Sequence, residues 1–142
     1  LGTLATAGPG MKAALVLKNL GTSVHGSDLP TFLTLGAMRK LYRLSGWNDD
    51  LAFAGEVVLP IKPSSQKPRM HLGVEYARKI GTKGVAIRTG YRHGYDLGAL
   101  AGLTFGGGLG LQVGRGVLRF DYAFAPQGEL GPIHRISMAT SF

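Results

Sequence analysis

From Val117 to Ala125 the chain alternates. Leu118, Phe120, Tyr122 and Phe124 are large and apolar, while Val117, Arg119, Asp121 and Ala123 fall between them. A period of two puts the two sets on opposite faces of a β-strand. The same pattern runs through most of the sequence. Leu103, Phe105, Leu109, Leu111 and Val113 oppose Thr104, Gly106, Gly108, Gly110 and Gln112. Val85, Ile87, Thr89 and Tyr91 oppose Ala86, Arg88, Gly90 and Arg92; Met70, Leu72, Val74 and Tyr76 oppose His71, Gly73, Glu75 and Ala77. Leu51, Phe53, Val57 and Leu59 oppose Ala52, Ala54, Glu56 and Val58, and the chain ends with Ile136, Met138, Thr140 and Phe142 against Arg135, Ser137, Ala139 and Ser141. Helical periodicity is poor throughout. Met38 to Leu44 would pass for a helical turn or two, but its glycine and aromatic neighbours favour strand.

Turn residues punctuate these runs and predict a meander of strands at Met11–Lys18, Phe32–Arg43, Leu51–Pro60, Arg69–Lys79, Lys83–Arg92, Gly102–Gly114, Val117–Ala125 and Ile133–Phe142. Leu1 to Gly10 has no clean pattern. In the second strand Arg39, Lys40 and Arg43 cannot all face inward without a bulge. No linker or low-complexity tract divides the chain, so residues 1–142 read as part of a single domain. There is no start methionine and no signal peptide with a basic start and apolar middle, so the chain is expected to begin inside a longer protein or at a processed end.

Amphipathic strands fit two architectures. In a soluble sandwich the apolar face is the interior; in a membrane barrel it meets lipid and the polar face lines the lumen. Three features favour the barrel. Glycine is abundant (23 residues) and charge is scarce (17%), against about 25% charged residues in an average soluble domain. The polar faces are rich in glycine and alanine, as a crowded concave interior requires. Aromatics gather near strand ends (Tyr42, Trp47, Tyr76, Tyr91, Tyr122 and Phe142), as interfacial girdles do.

The connections also alternate in length. Ile80-Gly81-Thr82 and Gly114-Arg115-Gly116 are tight. Asn19–Pro30, Ile61–Pro68, His93–Ala101 and Pro126–Pro132 are longer, and Leu44–Asp50 is intermediate. Barrels carry short periplasmic turns and long external loops, which predicts a bacterial outer-membrane location with the C-terminus on the periplasmic side. Membrane lipid is then a partner. Ile136, Met138 and the terminal aromatic Phe142 are then the signal read by the barrel-assembly machinery. No apolar run approaches the roughly 20 residues of a spanning helix.

The net charge of +8 raises nucleic-acid binding, but the basic residues are spread over loops, turns and alternate strand positions instead of one face. No nucleic-acid partner is expected; cationic loops would meet a solvated rim or outer-leaflet phosphates. Cysteine is absent, which removes disulfides and thiolate sites. The histidines (His25, His71, His93, His134) lack metal-ligand spacing, no nucleophile-elbow serine is present, and Gly106-Gly107-Gly108-Leu109-Gly110 does not match a dinucleotide loop. No catalytic residue, cofactor or metal is assigned. Glycine in that run lets the sheet bend or another element approach.

Two candidate sites remain. Glu56, Glu75 and Arg88 stand on successive strands facing the lumen, with Arg119, Asp121 and Arg135 on the last two strands. Cross-strand charges there lock register and plug the lumen, or else line a ligand or ion path. The turn Gly128-Glu129-Leu130-Gly131 between Pro126 and Pro132 is rigid and external, either a register-setting hairpin loop or a partner-contact edge.

The segment from Leu118 to Phe142, LRFDYAFAPQGELGPIHRISMATSF, resembles the C-terminal hairpin of the PorV/PorQ family. The matching residues are Asp121-Tyr122-Ala123, Ala125-Pro126, Gly128-Glu129-Leu130-Gly131, His134-Arg135-Ile136-Ser137 and Phe142. Looser likenesses lie upstream in LVLKNLG (Leu15–Gly21), Leu29-Pro30, LGVEY (Leu72–Tyr76) and the Gly90–Asp96 stretch. The resemblance implies an antiparallel barrel of about fourteen strands similar to the long-chain fatty-acid transporter (FadL) of the outer membrane, of which this chain would be a C-terminal portion. It also implies a non-enzymatic part in type IX-like protein secretion in a Gram-negative bacterium, with secreted cargo and other secretion components as partners. The alternatives are a FadL-like transporter of small hydrophobic solutes, a complete eight-stranded barrel and a soluble β-sandwich binding module.

Overall fold

The computed structural model describes residues 1–20, 29–42, 49–62, 66–95 and 100–141, with only the backbone of Tyr42 and Leu130. It holds nine strands in one sheet: β1 (Gly2–Gly8), β2 (Met11–Lys18), β3 (Thr31–Tyr42), β4 (Asp49–Lys62), β5 (Arg69–Ile80), β6 (Lys83–His93), β7 (Leu103–Val113), β8 (Gly116–Pro126) and β9 (Pro132–Ser141). Each strand pairs antiparallel with its sequence neighbour, in the order β1 to β9 without a crossover. The fold is all-β, antiparallel and up-and-down. Among the described residues, helix is confined to two 3-10 turns, Leu100–Gly102 and Gly128–Leu130. No ladder joins β1 to β9, which are the two edges of the sheet.

Leu1–Gly10, patternless in sequence, contributes β1. Its residues Thr3, Leu4, Ala5 and Thr6 pair with Leu15, Ala14, Ala13 and Lys12. Small and β-branched residues without large contrast satisfy the ladder but carry a weak alternation signal. The conflict expected in β3 is resolved without a bulge near Arg39. Lys40 faces the polar side and its ammonium lies 2.8 Å from Asp50, whereas Arg39, opposite Met11 and Phe53, takes the apolar side close to the β1–β2 turn. The β3–β4 register shift lies at the other end, between Thr31 and Phe32. Arg43 and the β3–β4 connection lie outside the described residues.

The two ends of the sheet differ. β1–β2, β5–β6 and β7–β8 are joined by two-residue turns, and Gly81 and Gly114 open the latter two with φ of 59° and 61°, a conformation that disfavours residues with a Cβ. The opposite end carries the long connections. One is fastened at its base: Asn19, with φ of 57°, donates from its amide to the Pro30 carbonyl at 2.9 Å, and the Thr31 hydroxyl donates to the Asn19 carbonyl at 3.0 Å.

Burial is inverted relative to a water-soluble sheet. Among the described residues no hydrophobic side chain is buried, and Ile136, Ile87 and Leu109 are 79%, 65% and 55% exposed. The side chains of Arg88 and Asp121, on the other face, are only 27% and 26% exposed. Over the middle of the sheet charged groups shelter one another on one face while leucine, isoleucine and phenylalanine stand open on the other, the reverse of the usual partition; at the two-residue-turn end the apolar side also holds the buried Asp49, opposite Arg78.

Candidate functional site

The polar face is built from alternate residues of every strand, and its charges join across strands. Glu75 on β5 lies opposite Arg88 on β6, and the Arg88 guanidinium donates from Nε to the Glu75 carboxylate. Its Nη1 donates to Asp121 Oδ1 at 2.6 Å. Asp121 belongs to β8, so Arg88 reaches across the whole width of β7. The two strands adjoining β7 frame the crossing: Arg88 is opposite Gly106, and Asp121 is opposite Gly108. A Cβ on Gly108 would lie 2.7 Å from Asp121 Oδ1 and 3.2 Å from an Arg88 nitrogen. Glycine at 108 is therefore the floor over which the ion pair passes. Arg119 completes the chain, donating from Nε to Asp121 Oδ2 at 2.8 Å.

Glu56 joins a second cluster. Its carboxylate lies 2.6 Å from His71 Nδ1 on the neighbouring strand, and His71 Nε2 lies 2.8 Å from the Tyr95 hydroxyl. The His71 and Tyr95 rings stack, with centroids 5.5 Å apart. Arg69 and Arg92 both face the Tyr95 ring, at 5.0 Å and 5.8 Å from its centroid, within cation–π range. Arg92 also crosses β7 to β8, donating to the Pro126 carbonyl at 2.7 Å.

The six sequence-assigned charges thus divide. Glu75, Arg88, Arg119 and Asp121 form one network; Glu56 belongs to the His71–Tyr95 cluster. Arg135 lies on β9 opposite Ala123 and makes no ion pair among the described residues. The hairpin turn is tight: Gln127 N–H donates to the Gly131 carbonyl at 3.1 Å, Gly131 N–H donates to Gly128 at 3.2 Å, and Gly128 and Gly131 have φ of 61° and 79°. Pro126 and Pro132 face each other at its base. Ile136 and Met138 stand exposed on the apolar face; Phe142 lies outside the described residues. Tyr76, Tyr91 and Tyr122 share that face, with Tyr91 near the long-loop end; Tyr122, in one row with Ile87, Gly107 and Ile136, lies mid-strand and not near a strand end as expected, and the side chains of Tyr42 and Trp47 are not among those described. Tyr122 pairs with His134 Nδ1 at 2.8 Å.

The Tyr95 cluster was not identified from sequence. A signal for it exists: Arg69, His71 and Arg92 occupy same-face positions of β5 and β6, legible from period two once register is known. Tyr95 falls beyond β6, where no periodicity predicts its direction. Among the described residues no three His, Asp or Glu side chains converge as metal ligands.

The polar face has two halves. Over β1–β5 it is a trough of mostly small and apolar residues, including Leu4, Ala14, Gly36, Met38, Ala54 and Gly73. Over β5–β9 it is a concavity carrying Arg88, Arg92, Asp121 and Arg135. No family model, curated protein or solved structure matches the chain. What fold and site define is a class: an antiparallel β-meander with one charged face and one uncovered apolar face.

Proposed function

We propose that this chain forms part of the wall of a bacterial outer-membrane β-barrel of the PorV/PorQ type, its C-terminus on the periplasmic side, and serves protein export without catalysis. One observation carries the membrane reading. A sheet whose apolar side chains are exposed on one face, while half-buried ion pairs cross the other, is stable only if something apolar covers the outer face, and lipid supplies that in a barrel. β3 to β9 are 10 to 14 residues long, enough to span a bilayer at the usual tilt, for which about 9–11 suffice. The export role rests on the hairpin Leu118–Phe142, whose rigid turn would stand at the external rim with cargo and secretion components as partners.

A second reading, passage of small hydrophobic solutes, is favoured by the apolar trough over β1–β5. The complete small barrel has less support, since the described residues form nine strands in which β1 and β9 do not pair. Deleting the gene in its host separates the first two. Export predicts that a set of secreted proteins accumulates in the periplasm while solute uptake is unchanged. An unchanged secretome with lost uptake of a hydrophobic solute refutes export.

A further inference from the structure

We propose that the concavity over β5–β9 is a binding site for a phosphoryl oxyanion, held by Arg92 and Arg135. Among the described residues the charges around it do not balance. Glu75 and Asp121 are engaged by Arg88, and Asp121 by Arg119 as well. That leaves Arg92 and Arg135 lining the same concavity with no carboxylate partner among the described residues. The Arg92 guanidinium has a single carbonyl acceptor, Pro126, and its Nε is buried without a hydrogen-bond partner. An anion in the concavity neutralises the guanidinium charge without reaching the sealed Nε.

Two further details select the ligand class. Guanidinium groups recognise carboxylates and phosphates through paired N–H donors. Two cations without a carboxylate partner among the described residues match a phosphoryl group carrying about −1.5 to −2 charge at neutral pH better than a single carboxylate. Neutral polar groups from Thr104, Gln127 and Ser137 line the same space and can donate to the remaining oxygens. Arg92 is anchored on both Tyr95 and Pro126, so one half of the site is held in place before a ligand arrives. The site lies on the inner face toward the long-loop end and is independent of what the barrel exports or passes.

The test is calorimetric titration of the full chain in neutral detergent at low salt with inorganic pyrophosphate, beside Arg92→Gln, Arg135→Gln and, as a control on the two-residue turn at the opposite end, Arg115→Gln. Circular dichroism verifies the fold of each. Saturable binding that weakens about tenfold in each arginine variant of the site, one charge-assisted contact's worth, and is unchanged in Arg115→Gln, is the expected result. Arg135, exposed and without an ion pair among the described residues, keeps the test open if Arg92→Gln does not fold. Competition by phosphatidic acid, a phosphomonoester, but not phosphatidylcholine, in mixed micelles assigns the phosphoryl group to a lipid; no competition assigns it to a soluble compound. Absence of saturable binding, equal binding by a folded Arg135→Gln, or tighter binding of acetate than of pyrophosphate overturns the proposal.

Discussion

Arg88→Ala tests whether the crossing of β7 holds the sheet together. The substitution removes hydrogen bonds to Glu75 and to Asp121 and leaves two carboxylates on one face. A charge-assisted bond contributes roughly 1.5–3 kcal/mol, so two would contribute about 3–6 kcal/mol if fully sheltered. The side chains of Arg88, Glu75 and Asp121 are 27%, 38% and 26% exposed, so solvent screening reduces this, and Arg119 still neutralises Asp121. A net loss of about 2 kcal/mol is expected, roughly a 30-fold shift in the folding equilibrium. Asp121→Ala should cost less, because Arg88 keeps Glu75. Denaturant unfolding of the detergent-solubilised protein, followed by circular dichroism, gives both values and the double variant. Contact between the two residues predicts a coupling energy of about 1 kcal/mol. Strict additivity, or Arg88→Ala within about 0.5 kcal/mol of the parent, would refute the bridge.

Three further outcomes follow from neighbouring geometry. Gly108→Ala should cost about 1–2 kcal/mol by crowding the bridge, whereas at Gly107 on the other face the nearest heavy atom to a new Cβ is 3.7 Å away; equal losses would contradict the glycine floor. Ile87→Lys, at a site 65% exposed, should lower the folded fraction in lipid vesicles by about 2–4 kcal/mol if the apolar face meets lipid at the midplane; no effect in vesicles would count against that orientation. Tyr95→Phe removes the His71 contact but keeps the ring beneath Arg69 and Arg92, so unfolding should shift by about 1 kcal/mol, and a larger loss in Tyr95→Leu would isolate the ring's share.

Much of the architecture was legible because a sheet with two unlike faces writes its register into the sequence. The runs around Leu118–Phe124 and Leu103–Val113 alternate large against small or charged, and their ladders begin and end within a few residues of the expected limits. β1 was illegible because Thr3, Ala5 and Thr6 offer no contrast between faces. Arg39 and Lys40 read as a conflict because adjacent charges look like one patch, whereas adjacent strand positions point to opposite faces. The charge network was half legible. Period two put Glu75, Arg88 and Asp121 on one face, but the pairing of Arg88 with Asp121 depends on side-chain reach over glycine, which no spacing rule encodes. For the same reason period two groups Glu56 with Arg88, although His71, directly opposite it, takes its carboxylate.

The central claim, that the apolar face of this sheet meets lipid and the charged face does not, is tested most directly by spin-label accessibility. The chain has no cysteine, so single cysteines can be placed without background at Val85, Ile87 and Leu109 on one face and at Ala86, Gly110 and Ser137 on the other. In lipid vesicles the account predicts high collision rates with dissolved oxygen at the first three and low rates at the second three, alternating residue by residue along β6. Uniformly low oxygen accessibility on both faces, as in a sheet packed against another protein layer, would contradict it.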